Sequence, residues 1–251
     1  MARDYFLTSE IANAVGIHPN TVRLYEEWGY LPPVARTASG YRKFSVAHLE
    51  QVKLIRLLMS FTWMGGSIRK TAYEIVQCGA AGDFGGALET AFQLRVLIQA
   101  ERAQAETAVD FLDNWAHGSV IESKDKPRRI GDTAKLLNVS TDRLRNWERN
   151  GLIEVPRNPL NGYRYYRTRE IGRLRVIRTL SQARYSQMAI LRMLMSLDQG
   201  ETEDLRIVLN TPQQGEDIFF VTDQLLSTLS DLDKKTQQVI SLLGDSLSKQ
   251  T

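Results

Sequence analysis

His18-Pro19-Asn20-Thr21-Val22-Arg23-Leu24-Tyr25-Glu26-Glu27-Trp28-Gly29 and, 122 residues later, Ser140-Thr141-Asp142-Arg143-Leu144-Arg145-Asn146-Trp147-Glu148-Arg149-Asn150-Gly151 share one chemical pattern. Each opens on a helix start: proline suits the first helical position after His18, and Ser140 is a good N-cap. Upstream, Ile11, Ala12 and Val15 share a helical face that Gly16 ends; Ala134 and Leu137 repeat it, with Asn138 in the place of the glycine. Ile17 with Val22, and Val139 with Leu144, have the spacing of a hydrophobic staple, which fixes the angle at which the second helix enters. Short helix, tight turn, second helix is helix-turn-helix geometry.

Carried outward, the same shift lays residues 8–70 over 130–192 without a gap. Ala12/Ala134, Arg23/Arg145, Glu26/Glu148, Gly29/Gly151, Gly40/Gly162, Tyr41/Tyr163, Arg42/Arg164, Ile55/Ile177 and Ile68/Ile190 are identical pairs. Between them fall pairs of one chemical class, such as Glu10/Asp132, Tyr25/Trp147, Phe44/Tyr166 and Leu49/Ile171. Two copies of one module account for this better than chance, and a repeat decides the architecture before any local reading does.

After each second helix comes a basic, aromatic stretch: Arg36-Thr37-Ala38-Ser39-Gly40-Tyr41-Arg42-Lys43-Phe44, and Arg157-Asn158-Pro159-Leu160-Asn161-Gly162-Tyr163-Arg164-Tyr165-Tyr166. Ser-Gly and Asn-Gly mark tight turns, so each stretch is predicted to be a small hairpin, or wing. Helix-turn-helix, then Gly29-Tyr30-Leu31 or Gly151-Leu152-Ile153, then an arginine ahead of Gly-Tyr-Arg, resembles the MerR family of bacterial transcription regulators. The resemblance covers roughly the first 70 residues and again about 130–195. It implies a mainly α fold: two tandem winged helix-turn-helix domains, each followed by helices that include a long coiled-coil pairing helix.

DNA binding needs cations for phosphates, donors and acceptors for base edges, and rigid placement of both. Base reading belongs to the start of the second helix: His18, Pro19, Asn20 and Thr21 in one copy, Ser140, Thr141, Asp142 and Arg143 in the other. Asn20 suits adenine and Arg143 guanine, while Asp142 either accepts from cytosine or caps its helix. The two sets differ throughout, which predicts unlike half-sites. The resemblance implies a backbone approach for Arg23, Tyr25, Arg145 and Trp147; a core position is the alternative for the two aromatics. Arg36, Tyr41, Arg42, Lys43, Arg157, Tyr163, Arg164 and Tyr165 are read as backbone clamps on the wings. Glu26 and Glu148 are expected to pair with arginines of their own module, since a carboxylate near phosphates repels.

Charge is uneven between the copies. Residues 127–170 hold ten Lys/Arg against five Asp/Glu, an excess of +5, whereas residues 1–45 hold five against four, or +1. The second module should grip DNA harder. Leu49, Val52 and Ile55, and Ile171, Leu174 and Ile177, recur at helical spacing as module core. Beyond them, Ala91, Leu94, Ile98, Glu101, Ala105, Ala108, Leu112 and Trp115 follow a coiled-coil alternation with Glu101 its polar break. Ile218, Thr222, Leu225, Leu229, Leu232, Thr236, Val239 and Leu243 do the same.

The expected division is a DNA-binding domain at 1–75, a helical region at 76–117, a linker at 118–127, a second DNA-binding domain at 128–196 and a helical region at 197–251. The expected partner is double-stranded DNA, addressed by an intrachain pseudo-dimer rather than a homodimer. The resemblance further implies promoter distortion that lets RNA polymerase use an overlong spacer; the alternative is an architectural, chromosome-organising protein without a ligand response. No effector is named by the residues. Aromatics at 61, 63, 73, 84, 92 and 115 either line an apolar pocket or form core.

Other classes are disfavoured. No window approaches eighteen consecutive apolar residues and Met1-Ala2-Arg3-Asp4 does not open a secretion signal, so a cytoplasmic protein without a membrane partner is expected. Cys78 is the one cysteine and the histidines stand apart at 18, 48 and 117, which leaves no metal or cofactor constellation; a buried structural thiol is expected at 78. Metal-sensing relatives carry cysteines at the end of the pairing helix, where Ala116-His117-Gly118-Ser119 has none. No phosphate loop or activated nucleophile marks an enzyme.

Overall fold

Helix ends set the frame of each module. In the computed structural model, which describes residues 4–59, 61, 66–117, 126–200, 205–211 and 224–249, α1 (Thr8–Val15) stops at Gly16 in the left-handed conformation, φ 67°. Helix α6 (Ile130–Leu137) stops at Asn138, φ 49°, one of the few side chains that tolerates that region. Ile17 N then donates to Ala12 O and Val139 N to Ala134 O, at 2.9 and 3.0 Å, so both turns satisfy their last carbonyls in the same way. His18 Nδ1 accepts from Asn20 N at 3.2 Å to start α2 (Pro19–Glu27); Ser140 Oγ accepts from Arg143 N at 3.1 Å to start α7 (Thr141–Arg149).

The wings follow. Strands β1 (Ala35–Arg36) and β2 (Arg42–Lys43) pair antiparallel with Arg36 opposite Arg42, and Gly40 takes φ 83° at the tip. In the second module the pairing shrinks to a single bridge, Arg157 opposite Arg164, across a tip one residue longer. A second bridge ties each wing to the segment before the first helix: Phe6 with Phe44, and Arg128 with Tyr166.

Helices α3 (Val46–Leu58) and α4 (Gly66–Ala80) complete the first module; α8 (Thr168–Gln182) and α9 (Gln187–Asp198) complete the second. Val22, Phe44, Val52 and Ile55 are buried in one, and Leu144, Tyr166, Leu174 and Ile177 in the other, each burial stabilising by roughly 1.5–3 kcal/mol. Leu49 and Ile171 are half-buried. Gln51 Nε2 on α3 donates to Tyr30 O and Val76 O, both at 2.9 Å. At the matching place on α8, Arg173 donates to Leu152 O at 2.8 Å and, with both terminal nitrogens, to Asp198.

Helix α5 (Phe84–His117), the short α10 (Leu205–Asn210) and α11 (Leu225–Ser248) form the rest. The coiled-coil stripes are buried from Ala91 to Leu112 and from Leu225 to Leu243, apart from Glu101, which pairs with Arg184 at 3.0 Å, and the half-buried Trp115. Ile218, Thr222, Trp63, Gly118, Ser119 and Pro212 lie outside the described residues, as does the expected linker except for Lys126 and Pro127. Among the described residues no helix is long and apolar enough to cross a membrane.

The chain divides into two compact units, Met1–Ala100 with Leu229–Thr251, and Glu101–Thr228; the expected boundaries after residues 75 and 196 fall inside α4 and α9. Each long helix is shared between the units. In the first unit, Arg95 on α5 pairs with Asp233 on α11 at 3.1 Å. In the second, Trp115 near the end of α5 packs on Gly172 of α8, where a Cβ would meet the indole Nε1 at 3.0 Å.

Candidate nucleic-acid interface

At the start of each second helix the same short pair recurs. Arg23 Nη1 donates to Asn20 Oδ1 at 2.9 Å, and Arg145 Nη1 donates to Asp142 Oδ1 at 2.7 Å, with all four side chains exposed. Asp142 therefore does not cap its helix, because Ser140 does. His18 is exposed but its Nδ1 is engaged as a cap. Arg143 is exposed with its guanidinium 5.7 Å from the centre of the Trp147 ring; Thr21 and Thr141 are half-buried.

One glutamate then fastens each wing to its second helix. Glu26 accepts from Arg36 Nη2 at 2.8 Å and from Arg42 Nε; Glu148 accepts from Arg157 Nη2 at 3.3 Å and from Arg164 Nε at 2.6 Å. The carboxylates are largely covered, and the guanidiniums retain further N–H donors, since each engages its glutamate through one nitrogen. The expected pairing of Glu26 and Glu148 inside their modules is thus present twice. Tyr41 and Tyr163 are exposed on the wings, Lys43 lies 5.3 Å over the Tyr5 ring, and Tyr165 is half-buried beneath Arg167. Leu160 at the second tip is almost wholly exposed.

Tyr25 and Trp147, for which a backbone approach and a core position were the two readings, are 5% and 2% exposed and form the aromatic centre of each module core. Burial also pushes the Tyr25 phenol above its ordinary range. The helical spacing that puts Arg23 outside puts Tyr25, two positions on, inside.

Sequence reading missed a cleft of about 380 Å³ under the second wing, lined among the described residues by four arginines, two tyrosines, two asparagines and two prolines, with no carboxylate. Arg128, Arg129 and Arg167 are exposed there. Arg129 lies over the Tyr163 ring at 5.9 Å and Arg167 over the Tyr165 ring at 5.3 Å. The charge count held these arginines but gave no position; comparison of the two copies, which sets them opposite Phe6, Leu7 and Ser45, was the available signal.

Elsewhere, Cys78 is half-buried rather than buried, and desolvation raises its thiol above the usual range. Phe61 is buried, Phe92 exposed, Phe84 half-buried, and Tyr73 packs against Tyr30 at 6.3 Å between ring centres.

Comparison with known proteins places this geometry. Residues 6–62 and 128–197 match the family described as MerR HTH family regulatory protein. The chain is 28% identical over 71 residues to the HTH-type transcriptional regulator CueR of Salmonella typhi, over 28% of this chain and 44% of that protein. With CueR of Yersinia pestis identity is 35% over 48 residues, 19% of this chain and 34% of that one. With the probable heavy metal-dependent transcriptional regulator of Haemophilus influenzae it is 27% over 114 residues, 45% of this chain and 80% of that one. The chain thus spans less than half the length of the CueR proteins it matches. No solved structure matches it. With the family match covering half of its length in two separate segments, both built on a capped second helix and a glutamate-held wing, the chain belongs to the MerR HTH family of regulatory proteins.

Proposed function

We propose that this protein is a transcription regulator that binds double-stranded DNA through two unlike half-sites, one per module, as an intrachain pseudo-dimer. The observation that carries the reading is the repeated fork: in each copy a glutamate on the second helix holds two wing arginines beside an exposed helix start. Such a fork holds the wing and the reading helix as one rigid piece, which positions phosphate contacts and base contacts together. Asn20 and Thr21 are the base-reading candidates of the first module; Asp142 and Arg143 are those of the second. Arg23, Arg145, Arg36, Arg42, Lys43, Arg157, Arg164 and the wing tyrosines are the backbone contacts.

The pseudo-dimer is supported by the shared helices. The first unit combines its module with most of α11, and the second combines its module with the end of α5, as expected when each long helix ends against the other copy. Promoter distortion that admits RNA polymerase is the mechanism the family suggests, with the cost of deforming DNA repaid by contacts on both flanks.

Selection from a random-sequence duplex library, followed by footprinting and light scattering, tests this. One chain per duplex over an asymmetric site is expected. Asn20→Ala and Arg143→Ala should each relax a different half of the site by about 1–3 kcal/mol. Two chains per duplex on a symmetric operator, or binding at many unrelated sites with no effect on transcription by RNA polymerase, would overturn it, the latter in favour of an architectural role.

A further inference from the structure

The cleft under the second wing has a composition that asks for an anion. Four guanidiniums converge where, among the described residues, no carboxylate lines the wall and only Arg164 is neutralised, by Glu148. Arg129 and Arg167 are held by ring faces, an arrangement that orients a guanidinium while leaving its edge N–H groups available. Arg128 is fixed from the backbone, since its N–H and C=O both pair with Tyr166 at 2.9 Å. Among the described residues, the guanidiniums of these three form no ion pair.

Like charges crowd together at a cost that a bound anion removes, and preorganised guanidiniums with open N–H edges match phosphate oxygens. The first module lacks these three arginines: Phe6, Leu7 and Ser45 occupy the matching positions, and Lys43 lies over the Tyr5 ring. Every lining arginine belongs to the second module, so the asymmetry is built into one side of the chain.

We propose that this cleft is a binding site for the DNA sugar-phosphate backbone, formed by Arg128, Arg129 and Arg167, which anchors the second module on the outer flank of its half-site. The proposal rests on the DNA-binding reading above and adds to it a one-sided anchor that does not read sequence. It follows that the footprint extends further beyond the second half-site than beyond the first, and that backbone charge on that flank carries a larger share of affinity.

The full chain and the duplex it selects from the random library provide the test. R128Q/R129Q/R167Q should flatten the dependence of log K on log salt by about 2–3, near 0.9 for each phosphate no longer neutralised, and shorten the footprint on the second flank alone. The sequence selected should not change. R128K/R129K/R167K should keep most of the slope. S45R, which places an arginine in the first module where Arg167 stands in the second, supplies a gain-of-function arm that does not depend on the triple variant folding, and should steepen the slope by about 1. An unchanged slope and footprint in the triple variant, with the duplex still bound, overturns the cleft and leaves the DNA reading standing. Failure of the unaltered chain to select any duplex overturns that reading itself.

Discussion

The two modules do the same jobs with different residues. A glycine ends α1 and an asparagine ends α6. The free backbone N–H before α3 is met by His48 and the one before α8 by Glu170, at 3.0 and 2.8 Å. Gln51 ties α3 to two carbonyls, while Arg173 ties α8 to one carbonyl and a carboxylate. The wing fork, by contrast, keeps its side chains, glutamate to two arginines, in both. The module is therefore specified by which bonds must be made rather than by which side chains make them. Exterior positions such as 6, 7 and 45 against 128, 129 and 167 are then open to diverge toward their own contacts.

The largest loss is expected at the aromatic centre. Trp147→Ala should cost about 3–5 kcal/mol, and Tyr25→Ala somewhat less, in line with large core truncations. Trp147→Phe should keep both the fold and most of the DNA affinity, because the ring fills core. Thermal melts alongside binding curves check this. Full stability with weakened affinity in the phenylalanine variant would place Trp147 at the interface. Next in size is the fork. Glu26→Ala and Glu148→Ala should each lose about 2 kcal/mol, the worth of a charge-assisted hydrogen bond to a half-buried guanidinium, with little from the exposed partner arginine. Urea titrations should give similar losses for the two; a loss confined to one module would mean that the forks are not equivalent.

Much of this architecture is legible in the residues. Helix starts at Pro19 and Ser140, ends at Gly16 and Asn138, and wing tips at Gly40 and Gly162 are local signals, each with a backbone reason. The pairing of Glu26 and Glu148 with arginines follows from charge alone. Three things are not local. The inward turn of Tyr25 and Trp147 depends on what the second helix packs against. The cleft joins Arg128 and Arg129 to Arg167, nearly forty residues away, through a bridge of two residues. The division of α5 and α11 between units has no signature in either helix, because a continuous apolar stripe reads the same whichever neighbour covers it.

Smaller effects are expected at the third helix of each module. Gln51→Met removes hydrogen bonds to the part-buried Tyr30 carbonyl and the buried Val76 carbonyl, and Arg173→Met removes one to the part-buried Leu152 carbonyl together with an ion pair whose Asp198 side is half-exposed. Each should cost about 1–2 kcal/mol, since a buried carbonyl left without a donor carries most of the penalty. Hydrogen exchange on α3 in one variant and α8 in the other reads the two losses separately.

The smallest difference depends on pH and comes from the cap. Burial lowers the His48 pKa below the ordinary imidazole value of about 6.5, and its Nδ1 accepts from Ser45 N, so the folded module holds the ring neutral. As pH falls through 6.5 the unfolded chain takes up a proton that the folded one resists. Stability is therefore intact above that value and declines below it, at no more than about 1.4 kcal/mol per pH unit, until the lowered folded value is passed. Protonation would also turn the acceptor toward Ser45 N into a donor. The matching Glu170 makes its bond as a carboxylate, without an imidazole to titrate. Between pH 7 and 5.5, amide exchange on α3 should accelerate relative to His48→Gln, while α8 shows no difference between the two proteins. Equal acceleration of α3 in His48→Gln would trace the pH response to other groups.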